Sequence, residues 1–141
     1  MSESRGDPPD GPAGALQLVA VAVVQSGGRV LIGPRSGNVP LAGLWEFPGG
    51  KVAAGEAPAE AAARECLEET GLAIRIGRRL CEVVHGYPHG RLRISFYAAE
   101  PVDPAQGVRS PFRWDELGEL SSYSFPPANA EVLACLQSPE E

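Results

Sequence analysis

Residues 58–70, PAEAAARECLEET, constrain the fold of this chain more than any other stretch. Strong helix formers fill it, Pro58 suits a first helical turn, and Gly71 is the residue type that most readily ends a helix. The spacing predicts one helix over 58–70, set among segments of a different kind. Leu16 to Gln25 and Arg29 to Gly33 are rich in Val, Leu and Ile, and Ser26, Gly27 and Gly28 between them read as a tight hairpin. LWEF, Leu44 to Phe47, reads as a further short strand ending in a loop at Pro48, Gly49 and Gly50. Beyond the helix, Ile74, Ile76, Arg78, Leu80, Val83 and Val84 lead to a turn at Tyr87 to Gly90 that contains His89. The alternating RLRISFYA then directs Leu92, Ile94, Phe96 and Ala98 inward. A loop from Pro101 to Pro111 precedes Phe112, Arg113 and Trp114. Pro127 opens a C-terminal helix with Val132, Leu133 and Leu136 on its apolar side. Mixed strands around one central and one terminal helix predict an α+β or a layered α/β/α domain without regular strand–helix alternation.

At 141 residues there is material for one core. We place the domain at 15–138, after a flexible tail, MSESRGDPPDGPAG, over 1–14. A net charge of -6 argues against stable nucleic-acid binding, which draws its affinity from neutralised phosphates. The longest apolar run, LVAVAVV, is too short to span a bilayer. Cys66, Cys81 and Cys135 fit neither a disulfide framework nor a metal-ligand spacing, and read as small core residues in a reducing cytoplasm. Trp45 and Trp114 read as core.

The chemistry lies in LWEFPGGKVAAGEAPAEAAARECLEETGL. On a helix, Glu65, Glu68 and Glu69 stand at i, i+3 and i+4, within reach of one another. Like charges so placed repel unless a hard cation such as Mg²⁺ takes their oxygens. By itself the stripe fits better a solvated face in which Glu60, Arg64 and Glu68 pair at i,i+4. The context decides. From Gly50 the chain runs through Glu56, Arg64, Glu65, apolar Cys66, Glu68 and Glu69 to Gly71 and Leu72. This segment resembles the signature of the Nudix hydrolases, with every defined position filled. Seven such residues would coincide by chance roughly once in 10⁸ starting points.

The resemblance implies a metal-dependent hydrolase of a nucleoside diphosphate linked to another group, on a Nudix-type α/β/α sandwich with a mixed sheet, one catalytic helix and one C-terminal helix. It implies Mg²⁺, with Mn²⁺ able to substitute, held by Glu65, Glu68 and Glu69 together with a backbone carbonyl of Gly49 or Gly50. One of these glutamates, or a carboxylate from another loop, would accept the proton of the attacking water. Glu56 and Arg64 match positions that brace the loop against the helix. Relatives commonly supply a further metal-binding glutamate from the loop before the late Trp strand. Here that loop, VDPAQGVRSPFRW, has only Asp103.

LWEFPGGK and SFPPANAEVLACL resemble the MutT-like branch, which removes oxidised guanine nucleotides from the pool. There attack falls on the β-phosphorus, giving the monophosphate and pyrophosphate. Asn129 would read the base. Its carboxamide can accept from N7–H and donate to O6 of 8-oxoguanine, although an Asn after Pro also suits a local backbone bond in an early helix. Arg35 matches a substrate-contacting arginine, and Phe47 would lie against the base or in the core. The expected partner is a small-molecule nucleotide, and the expected assembly is a monomer or weak dimer. Pyrophosphohydrolysis of pyrimidine or other modified nucleotides, and non-catalytic nucleotide sensing, are the competing readings.

Overall fold

The computed structural model describes residues 16–35, 44–88 and 90–137. The expected tail and His89 lie outside the described residues.

The elements run β1 (Leu16–Ser26), β2 (Arg29–Pro34), β3 (Trp45–Glu46), β4 (Gly49–Lys51), α1 (Pro58–Thr70), β5 (Ile74–Tyr87), β6 (Gly90–Pro101), β7 (Arg113–Glu116) and α2 (Ala130–Gln137). The seven strands form one mixed sheet. Its path is β3-β2-β1-β6-β5, with β4 paired to β1 and β7 to β2. Only β1 and β6 run parallel among these pairs, from Leu16↔Arg91 to Val24↔Ala99. The β1–β2 turn uses Gly27 at φ 58° and Gly28 at φ 81°, left-handed values that glycine adopts without strain.

The continuous apolar run of β1 is explained by burial on both faces. Ala20, Ala22 and Val24 point to one core, where Ala61, Ala62 and Cys66 of α1 pack with Leu31, Leu72 and Phe112. Val23 points to the other, with Val30, Ile32, Phe47, Ile94, Phe96, Leu120 and Val132 of α2. The result is a sheet between two helical layers, the α/β fold that the order of elements predicts.

Helix α1 begins and ends where its sequence predicts. Glu60 Oε1 accepts from the Ala57 N–H at 3.1 Å, and Gly71, at φ 79°, donates its N–H to the Leu67 carbonyl at 2.9 Å.

Four expectations change. Gly49 and Gly50 are not loop but part of β4, because their backbone pairs with Val21 and Ala20 of β1. Ala98 is only half-buried, since both faces of β6 are covered and Ala99 instead packs against the α1 side. Pro127–Asn129 form a 3-10 turn, and α2 itself starts at Ala130. Of the cysteines, Cys66 is buried and Cys81 half-buried, but Cys135 is exposed on the flank of the arc made by Val132, Leu133 and Leu136. Both tryptophans are half-buried at the margins of the two cores.

Candidate active site

One turn apart on α1, Glu65 and Glu69 face β4. Glu69 Oε1 accepts from the Gly49 N–H at 3.2 Å. The Glu65 carboxylate lies over Gly50, where a Cβ would stand 2.6 and 2.7 Å from its two oxygens. Bare glycine backbone is therefore what lets the strand approach the carboxylates. The two carboxyl groups are near enough for their charges to oppose one another. Burial, joined by the charges of Glu65 and Glu46, pushes Glu69 up to about 8 in spite of the opposing Gly49 N–H.

Glu68 lies apart from this pair. It is exposed, and its carboxylate meets Arg64 Nη1 at 3.3 Å in an i,i+4 ion pair. Arg64 reaches well beyond that contact. Its Nε and Nη2 donate to Glu56 at 2.7 and 3.0 Å, Nη2 also donates to the Lys51 carbonyl at 3.1 Å, and Nη1 donates to Glu65 at 3.2 Å. The forked contact fastens residues 51–56 to the helix. Together with the Ala53 N–H it holds the Glu56 carboxyl down at about 2.

Among the described residues no three His, Cys, Asp or Glu side chains converge as a ready-made metal centre. What the structure brings together is the Glu65–Glu69 pair beside Gly49 and Gly50. Two mutually repelling, partly desolvated carboxylates against close-lying backbone form a hard oxygen set, so these residues fit a divalent cation. The loop before Trp114 adds no carboxylate there. Asp103 accepts from the Ala105 N–H at 3.0 Å within its own turn. From the same loop, Arg109 donates from Nη1 to the Glu68 carbonyl at 2.7 Å and from its backbone N–H to the Thr70 carbonyl at 2.7 Å, closing the C-terminal end of α1.

A cavity of about 300 Å³ opens beside the glutamates. Gly49, Gly50, Arg35 and Glu46 line it together with Phe47, Asn129 and His85. Val19 and Val21 of β1 and Leu92 and Ile94 of β6 also line it, and Pro126 to Ala128 contribute further apolar wall. Phe47, buried in the α2-side core, stacks on Phe125 with ring centroids 5.2 Å apart. The rings of Trp45 and Tyr123 lie 4.7 Å apart between centroids, and the Trp45 backbone N–H donates to the Ser124 carbonyl at 2.8 Å. These contacts fasten β3 to residues 123–125 and so set the wall that carries Asn129.

Arg35 Nη1 donates to Glu46 Oε1 at 2.9 Å. Sequence reasoning missed Glu46, His85 and Phe125. Glu46 stands inside LWEFPGGK, and His85 shares a sheet face with its register partner Leu92, so period-two alternation along β5 would have pointed to it.

A family model described as the NUDIX domain matches residues 19–135. The chain belongs to the Nudix family. Among curated Nudix relatives, the 8-oxo-dGTP diphosphatase of Escherichia coli (strain K12) is 30% identical over 124 residues, covering 86% of this chain and 96% of that one. The 8-oxo-dGTP diphosphatase of Haemophilus influenzae is 31% identical over 126 residues, 84% and 88% of the two chains. A shorter match, 39% over 59 residues, covers 42% of this chain and 44% of the CTP pyrophosphohydrolase of Escherichia coli. Among solved structures, the MutT Nudix hydrolase from Burkholderia pseudomallei superposes with a TM-score of 0.66 at 26% identity, covering 89% of this chain and 99% of that one. The solution structure of the E. coli ORF135 protein gives 0.68 at 26%, with 90% and 91% covered. Among the described residues of this Nudix domain, no helix is long and apolar enough to cross a membrane.

Proposed function

We propose that this chain is a Mg²⁺-dependent pyrophosphohydrolase that converts an oxidised purine nucleoside triphosphate of the 8-oxo-dGTP type to the monophosphate and pyrophosphate. One observation carries the reading: a single cavity is lined both by Gly49 and Gly50, which lie beside the carboxylates of Glu65 and Glu69, and by Asn129. The names of the E. coli and H. influenzae relatives support it.

Glu65, Glu69 and Glu68, with the Gly50 carbonyl, are the groups to hold the ion. Bound there, Mg²⁺ or Mn²⁺ would supply charge neutralisation for the phosphates and a polarised water. The chain's own residues do the rest. Arg64 and Glu56 keep α1 pressed on β4. Phe47, Val19, Val21, Leu92 and Ile94 offer an apolar bed from which water is excluded. Asn129 accepts from N7–H and donates to O6 of the oxidised base. Ordinary guanine has no N7 hydrogen, and leaving one polar group without a partner costs about 1–3 kcal/mol, or roughly 5- to 150-fold in kcat/KM. Asp103 accepts from the Ala105 N–H in its own turn, and the reading gives the proton of the attacking water to a glutamate of α1.

The test is pyrophosphate release with Mg²⁺ from 8-oxo-dGTP, dGTP, CTP and dCTP. The reading expects 8-oxo-dGTP to lead dGTP by at least about fivefold in kcat/KM, on the polar-mismatch argument, and Asn129→Ala to erase most of that lead. Turnover of none of them with tight binding would mark a nucleotide sensor. Preference for CTP would place the chain with the pyrimidine-nucleotide hydrolases, the direction suggested by its similarity to the CTP pyrophosphohydrolase of E. coli.

A further inference from the structure

Four of the described residues that line the cavity carry polar side chains: Arg35, Glu46, His85 and Asn129. Arg35 and Glu46 are engaged with one another, Nη1 donating to Oε1 at 2.9 Å. His85 and Asn129 make no side-chain hydrogen bond to another described residue, so both keep donor and acceptor atoms for a ligand. Of these two, only Asn129 has a task in the proposed reaction.

The sheet gives His85 its place. The cavity floor crosses four neighbouring strands, since β4 pairs with β1, β1 with β6, and β6 with β5. Val19 of β1 stands opposite Ile94 of β6, and Leu92, two residues before Ile94 and so on the same face, stands opposite His85. Gly49 and Gly50, backing onto Glu69 and Glu65, form one end of this floor, and His85 forms the other. Three strand spacings separate the two ends, about 14 Å. Between them β1 and β6 offer apolar side chains alone. A nucleotide with its phosphates at the glycines lays its sugar and base over that apolar stretch, toward β5. The first polar side chain the base meets in the floor is His85. It is exposed and therefore accessible, and a neutral imidazole offers one donor and one acceptor nitrogen to the edge of a base.

Reach then separates the bases. A purine extends one fused ring farther from its sugar than a pyrimidine does, so a contact at the far end of the floor favours the longer base. We propose that His85 is a specificity-determining residue that hydrogen-bonds the outer edge of a purine, an edge that a pyrimidine is too short to present there. The proposal rests on the reading of Gly49, Gly50, Glu65 and Glu69 as the phosphate end of the site.

The experiment is calorimetric titration of the purified full chain, His85→Ala and His85→Gln with 8-oxo-dGMP, dCMP and inorganic pyrophosphate, each in the presence of Mg²⁺. Circular dichroism establishes that the variants are folded. His85→Ala is expected to weaken 8-oxo-dGMP roughly 2- to 12-fold, the usual worth of one hydrogen bond, while dCMP and pyrophosphate stay within about 1.5-fold of the parent. His85→Gln, which keeps a donor and an acceptor, should bind 8-oxo-dGMP more tightly than His85→Ala. Unchanged 8-oxo-dGMP affinity in His85→Ala overturns the proposal. So does an equal loss for dCMP, which puts the contact on the sugar, or for pyrophosphate, which puts it on the phosphates. A parent chain that binds no 8-oxo-dGMP overturns it as well. Because nothing is hydrolysed in the titration, a failed pyrophosphate assay alongside the selective loss would count against the proposed activity and not against the role of His85.

Discussion

Gly49 and Gly50 are adjacent, both belong to β4, and both lie in the candidate site, yet adding one methyl group to each should have opposite consequences. At Gly49 the new Cβ would lie 2.6 Å from the Ala20 carbonyl oxygen and 2.8 Å from the Val21 Cα. Both are backbone atoms of the strand at the centre of the sheet, which cannot retreat without breaking the β1–β4 register. Overpacking of this kind costs about 1–3 kcal/mol, so Gly49→Ala should lower the melting temperature by roughly 2–12 °C for a domain of this size. At Gly50 the obstacle is the end of a side chain. The Glu65 oxygens would lie 2.6 and 2.7 Å from the new Cβ and its Cδ closer still, and ordinary contact near 3.5 Å requires the carboxylate to withdraw by about 1 Å. Its torsions allow that at small cost to the fold. The reacting groups do not, since a misplacement of about 1 Å can cost on the order of 10²-fold in rate. Gly50→Ala should therefore melt close to the parent and turn over its best nucleotide roughly a hundredfold more slowly. Scanning calorimetry and steady-state pyrophosphate release on both variants check this. A Gly50→Ala enzyme with parental kcat, or a Gly49→Ala chain with parental melting temperature, would refute the reasoning.

Two further predictions concern the scaffold. Glu56 titrates at about 2 in the fold against an ordinary value of 4.5, so its pairing with Arg64 stabilises fully above pH 4.5 and is lost as pH falls through 2. Glu56→Gln should melt below the parent at pH 5 and above, and the two melting curves should converge as pH approaches 2. A gap that stays constant with pH would show that the charge is not responsible. Thr70, fully buried, donates its hydroxyl to the Cys66 carbonyl at 2.8 Å and accepts from the Leu72 N–H at 3.1 Å. Thr70→Val keeps the shape but leaves that N–H without its acceptor, for an expected loss of about 1–3 kcal/mol in calorimetric stability. A melting temperature within about a degree of the parent would mean that another acceptor takes over.

What could be read in advance was what neighbouring residues decide among themselves. The bounds of α1 follow from Pro58 in its first turn and Gly71 next to its last residue, and the hairpin follows from Gly27 and Gly28. The glutamates could be named because helical spacing alone puts them on a shared stripe. What could not be read depends on chain folded back from elsewhere. The Gly49–Gly50 stretch becomes strand only because β1 lies alongside it, with partners 28 and 30 positions earlier in the chain. Glu46 acquires its conflict from burial near Glu69, and Arg109 finds the end of α1 across a separation of 41 residues. The division of the glutamate stripe is of the same kind. Its spacing is shared by three residues, but Arg64 and the two glycines assign them to different neighbours.

The two cores noted in the fold carry different halves of the candidate site. Helix α1, which carries the glutamates, packs into the core on one side of the sheet, whereas Phe47, α2 and the wall bearing Asn129 belong to the other. The sheet stands between them as a partition. Substitutions among Phe125, Leu120, Val132 and their neighbours can reshape the space offered to a base while the packing beneath the glutamates stays as it is. A lineage built on this plan can change which nucleotide it accepts without rebuilding how the phosphates are cut.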